Sequence, residues 1–126
     1  MLTIRAEQMA LLREARVREA LHRMADELRR TWSELCAHLN DAELREFVRR
    51  GTDAAERFDL TLERDIMTFL VSQLLFGVNF VDDPAYPWAA ELRWPYLPGR
   101  IKGEHLRDHL VRLSNDAASD NAVPHG

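Results

Sequence analysis

His105 and His109 stand four residues apart in a stretch of helical periodicity, so both imidazoles would share one helix face beside Glu104 and Asp108. Such a pair could seed a metal site. The order is not His-Glu-x-x-His, in which a glutamate is placed to act as base, and no third ligand is evident. A solvated helix face is expected there, and no metal. Asp82-Asp83 could offer carboxylates to a cation, but a calcium loop needs several more oxygens at fixed spacing; turn-making ahead of Pro84 is the commoner use. Cys36 and His38 are two residues apart, which on a helix turns them to different faces, so a Cys–His nucleophile is not formed locally. Cys36 is expected as a small buried apolar group. His22 and His38 have no sequence-near partner suggesting catalysis. With no phosphate-binding glycine loop and no Gly-x-Ser-x-Gly elbow, no catalytic residue, cofactor or small-molecule substrate is expected.

The aromatic residues are more informative. Tyr86, Trp88, Trp94 and Tyr96 cluster in a segment punctuated by Pro84, Pro87, Pro95 and Pro98, where a stiff backbone lowers the ordering cost of presenting side chains. Aromatic anchors on rigid frames are typical hot spots of protein interfaces. Trp94, Tyr96 and Trp88 are therefore the candidate protein-binding residues. For Trp88 the bland alternative, a lid over the helical core, is the stronger of the two; for Trp94 and Tyr96 the two readings stand level.

The elements that would position these residues are all helical. Residues 6–39 read as one long helix or two nearly collinear ones, with Val17, Leu21, Met24, Leu28, Leu35 and Leu39 in an apolar stripe and Thr3 as N-cap. A coiled coil is the sharper alternative, but the stripe lasts only about three heptads, so core packing is preferred. Asn40-Asp41 caps a second helix over 41–57, whose inner face includes Gly51, placed for close approach by a neighbouring helix. Thr61 caps a third, ending near Phe76, apolar nearly all round except for a stripe of Arg64, Asp65, Thr68 and Ser72; such a helix belongs at the centre of a bundle. Gly77 stops it. A short helix over 87–93 follows, then an amphipathic one over 100–113 burying Ile101, Leu106, Leu110 and Leu113. Beyond Ser114 only Val123 is strongly apolar, and a disordered tail is expected over 114–126. The predicted fold is all-α: a compact bundle of four to five helices forming a single domain over 1–113.

Composition narrows the partners. The 126 residues carry 17 Lys+Arg against 21 Asp+Glu, a formal charge of -4, which argues against non-specific nucleic-acid binding. Lys102 is the sole lysine; arginine suits interfaces better, though a bias toward Arg codons explains the imbalance first. One cysteine cannot form an internal disulfide. The opening residues acquire charge at Arg5 and Glu7 before any long apolar run, unlike a signal peptide, and the apolar stretch from Ile66 to Val81 is too short and too often interrupted for a membrane span. A cytoplasmic protein without membrane partners is expected.

Three runs carry a resemblance: Ile4-Arg5-x-Glu7-Gln8-Met9, Thr61-x-Glu63-Arg64-Asp65, and Gly77-x-x-Phe80-x-x-Asp83-Pro84-x-x-Pro87-Trp88-Ala89. In this order and spacing the chain, over roughly residues 2–113, resembles a family of small helical proteins encoded in bacterial type VI secretion loci beside spike proteins, effector adaptors and toxins. The segment Arg93 to Gly99 is more aromatic and proline-rich than the family pattern. The resemblance implies accessory work in effector handling: a non-enzymatic chaperone or co-adaptor that binds an effector toxin, or its adaptor, encoded in the same locus. An immunity protein that neutralises a cognate toxin is the second reading. A small enzyme using His105 or His109 is the third.

Overall fold

The computed structural model describes residues 5–122, with side chains described through residue 116. Among these residues the chain is all-α, without a strand. Helix α1 spans Ala6–Thr31, α2 Ser33–Cys36, α3 Asp41–Arg57, α4 Glu63–Phe76 and α5 Gly99–Ala122; a 3-10 turn, Phe80–Asp82, and a 3-10 helix, Pro87–Arg93, lie between the last two. None of the described helices is long and apolar enough to cross a membrane. The chain divides into two units, Met1–Arg50 and Gly51–Gly126, and the division falls inside α3, within the span expected as one domain.

In the first unit, α1 is entered at Arg5, whose backbone N–H donates to the Gln8 side chain at 3.0 Å; the expected cap, Thr3, lies outside the described residues. Of the expected apolar stripe, Met24 and Leu28 are buried, Leu21, Leu35 and Leu39 are half-buried and Val17 is exposed; Met9, Leu11 and Leu12 nearer the start of α1 are exposed as well. The long helix breaks at Trp32 (φ -124°, ψ 45°), giving two helices rather than one. Arg29 holds the following turn. Its guanidinium donates to the carbonyls of Cys36 at 2.8 Å and Leu39 at 2.7 Å, satisfying groups that the end of a short helix leaves open, and reaches Asp41 at 3.2 Å. Asn40 then caps α3 as expected, and in full: the Glu43 N–H donates to Asn40 Oδ1 at 2.8 Å and the Asn40 N–H donates to Glu43 Oε1 at 3.0 Å. On the outer face Arg49 and Arg50 hydrogen-bond Glu46 and hold its carboxyl down to about 2, although an exposed pair of this kind adds little to stability.

In the second unit, Gly51 sits where a Cβ would overlap Leu70 and Gln73 of α4, which confirms close approach as the reason for glycine on that face. Helix α4 starts after Leu62, one residue past the expected cap Thr61, and no side chain caps it. Its buried set is Asp65, Ile66, Phe69, Leu70, Val71, Ser72 and Gln73. The expected polar stripe is partly buried: Asp65 is 1% exposed and Ser72 is fully covered, while Leu75, expected inside, is 46% exposed. Asp65 and Ser72 have partners, whereas Gln73 Oε1 has none among the described residues. Arg107 of α5 donates to the Asp65 carboxylate, and the Ser72 hydroxyl donates to the Thr68 carbonyl at 2.8 Å. Gly77, at φ 106°, ends α4 in a conformation that L side chains rarely adopt, and its N–H closes on the Gln73 carbonyl at 2.9 Å. Helix α5 starts at Gly99 and runs to Ala122, beyond the end expected near 113; Leu113 is exposed, and residues 123–126 of the expected tail lie outside the described residues.

Candidate functional site

The segment from Gly77 to Gly99 is built from turns that the aspartates and prolines enforce. The Ala85 N–H donates to Asp83 Oδ1 at 2.9 Å, a side-chain turn of the kind expected ahead of Pro84. Asp82 accepts from Arg93 at 2.6 Å, tying the 3-10 turn to the end of the 3-10 helix. Pro87 stands at the first position of that helix, where its missing N–H costs nothing. Burial of Phe80, Val81, Ala89 and Leu92 fixes the two short elements against the core.

Trp88 faces inward from this frame. Its ring lies 5.5 Å from Phe76, 6.1 Å from Phe80 and 6.2 Å from Tyr86, and stacks on His109 at 4.5 Å. Phe69 and Phe58 continue the cluster at 5.5 and 5.8 Å. The structure therefore places Trp88 as a lid on the aromatic core, half-buried. Trp94 and Tyr96 lie apart from it. They flank Pro95 in the connection to α5, stack on each other at 5.7 Å with an interplanar angle of 15°, and are 43% and 75% exposed. A Leu97 N–H to Trp94 carbonyl bond of 3.2 Å closes the turn beneath them. Two aromatic rings held in parallel by their own turn present a pre-organised surface rather than two freely rotating side chains.

Helix α5 is locked to the end of α3 just after this turn. Asp59, at φ 66°, sends its carboxylate to the Gly99 N–H at 3.2 Å and so caps α5 from a distant part of the chain. Lys102, 3% exposed, donates from Nζ to the Phe58 carbonyl at 3.1 Å, placing a positive charge at the negative end of α3. The cavity beside this lock measures about 380 Å3 and includes Arg57, Asp59, Arg93, Pro95 and Lys102 in its wall. The sequence reading missed these residues as a set. The one available signal was the single lysine falling among Ile101, Leu106 and Leu110 on an amphipathic helix.

The histidines take separate partners. His105 Nδ1 lies 3.0 Å from Glu91 Oε1, whereas His109 stacks on Trp88. Among the described residues no group of three His, Cys, Asp or Glu side chains is placed to hold a metal ion. Burial pushes the Cys36 thiol up, with Arg29 opposing more weakly, so the thiolate that a nucleophile needs is disfavoured. His22 and His38 are exposed.

Burial lowers the His109 pKa from its ordinary value of 6.5, and the nearby Arg112 and His105 add to the shift while Glu91 and Asp108 oppose it. The folded chain then binds this proton less readily than the unfolded chain. Stability from the neutral imidazole is complete above 6.5 and is lost as pH falls through that value toward the lowered one. Melting temperatures followed from pH 7.5 down to 5.5 are expected to fall more steeply in the wild-type chain than in His109→Phe. Parallel profiles would show that His109 does not couple to folding.

Compared with protein-family models, curated proteins and solved structures, the chain returns no match.

Proposed function

We propose that the chain is a non-enzymatic protein-binding accessory, a chaperone or co-adaptor that holds a type VI secretion effector or its adaptor in the cytoplasm. The observation that carries the binding reading is the exposed, stacked Trp94–Tyr96 pair, which flanks Pro95 and is held by a closed turn. The secretion setting is supported by the motif resemblance at Thr61–Asp65 and Gly77–Ala89. Core packing alone does not account for an aromatic pair here, since Trp94 and Tyr96 are 43% and 75% exposed. Presentation of a rigid apolar surface to a partner accounts for them.

The test is Trp94→Ala and Tyr96→Ala, each assayed for thermal stability and for capture of the products of neighbouring genes. Truncating an aromatic hot spot costs about 2 kcal/mol of binding, roughly thirtyfold in affinity. Unchanged melting with lost capture of an effector or adaptor is the expected result. Intact capture by both folded variants overturns the surface. Capture of a toxin domain with rescue of poisoned cells replaces the accessory role by immunity.

A further inference from the structure

We propose that the cavity at the junction of the α3 C-terminus, the 3-10 helix and the first turn of α5 is a carboxylate-binding pocket. Its wall holds three cations, Arg57, Arg93 and Lys102, and one carboxylate, Asp59. The Asp59 carboxylate is already engaged by the Gly99 N–H. Lys102 is 3% exposed, yet the acceptor for its ammonium among the described residues is a single neutral carbonyl, that of Phe58. An ammonium has three donors, and a buried charge is compensated by an opposite charge far better than by one carbonyl. Arg57 is exposed and makes no ion pair among the described residues. Arg93 is held by Asp82 in a solvated pair, with side chains 53% and 68% exposed, which an incoming anion can replace at little cost.

These groups leave an excess of positive charge around a cavity of about 380 Å3 open to solvent. A monoanion with two acceptor oxygens meets the unused donors of Lys102 and the fork of Arg57 together. Asp59 in the same wall disfavours a more highly charged group such as a phosphate dianion. Pro95 lines the cavity and separates Trp94 from Tyr96, so a bound carboxylate enters beside the exposed aromatic pair. The pocket's use in partner binding rests on the protein-binding reading above, whereas its affinity for a carboxylate does not. The carboxylate would come from a chain terminus or from an acidic side chain of the partner.

Because Lys102 is the only lysine, isotope-labelled lysine gives one reporter inside the pocket. The labelled chain is titrated with N-acetyl-phenylalanine, which offers a terminal carboxylate, with N-acetyl-glutamic acid α-amide, which offers a side-chain one, and with neutral N-acetyl-phenylalaninamide. Inorganic phosphate is the fourth probe. The expected result is a saturable shift of the Lys102 signals with at least one carboxylate and none with the neutral amide. The probe that saturates at lower concentration identifies the source. Arg57→Gln, a change at an exposed position that leaves the Lys102 lock intact, is expected to weaken the response about fivefold. No saturable shift with either carboxylate shows that Lys102 only holds the end of α3, and overturns the pocket. An equal response to the amide, an unchanged response in Arg57→Gln, or tighter binding of phosphate does the same. Partner capture that persists while the probes fail leaves the protein-binding reading standing without the pocket.

Discussion

Replacing Arg107 by methionine is expected to destabilise the chain by about 3 kcal/mol, near the lower end of what breaking a buried ion pair costs. Asp65 is 1% exposed and Arg107 is its one close cationic partner, with Arg64 standing off at 3.9 Å. Removing the guanidinium leaves the buried carboxylate without its hydrogen-bonded cation. The loss stays at the lower end because the Arg107 side chain is itself 31% exposed and water can enter behind it. Methionine keeps much of the aliphatic stem, so the change reads charge rather than packing. Urea denaturation of the wild type, Arg107→Met, Asp65→Asn and the double variant measures the coupling. The double variant should recover about half of the loss, since no charge is then buried alone. A single-variant loss below about 1 kcal/mol would place the pair among weak surface contacts.

Gly99→Ala is expected to cost as much or more, roughly 3 kcal/mol, for a steric reason. A Cβ at this position would overlap the backbone carbonyl of Asp59 and crowd its carboxylate. Backbone cannot swing aside as a side-chain tip can, so relieving the overlap must displace the Asp59 turn and with it the cap on the Gly99 N–H. Gly51→Ala is the informative comparison. There the overlap is with the ends of the Leu70 and Gln73 side chains, which can shift, and alanine gains about 1 kcal/mol of helix propensity over glycine. Melting temperatures should therefore fall far more for Gly99→Ala than for Gly51→Ala. The reverse order would contradict the lock between α3 and α5.

Residues whose environment is set by their own helix could be read directly from the sequence. Asn40 and Glu43 form their capping box with each other, Gly77 stops α4, and Pro87 opens the 3-10 helix, each through neighbours within a few positions. Gly51 was readable too, because a glycine on an apolar face has few other uses. Asp65 was not. Its polar type matched an outer stripe, and only the packing of α5 on α4 brings Arg107, 42 residues away, onto its carboxylate. Asp59 and Lys102 failed for the same reason: a cap supplied 40 residues before its helix leaves no spacing pattern. At the candidate surface, composition and prolines singled out Trp94 and Tyr96 as candidates, and both are exposed. The charged pocket beside them depends on three separate elements, and no periodicity joins these.

The burial of Lys102 has a practical consequence for following the fold. A protease that cuts only after lysine has one peptide bond to attack in this sequence, Lys102–Gly103. That bond lies inside α5 at two buried residues, and a Cβ on Gly103 would already overlap the Asp65 carboxyl group. Cleavage there requires α5 to leave α4, so conversion of one band into two reports the opening of this helix pair directly. The chain thus carries its own single-site digestion clock, and frayed ends or exposed loops do not trigger it.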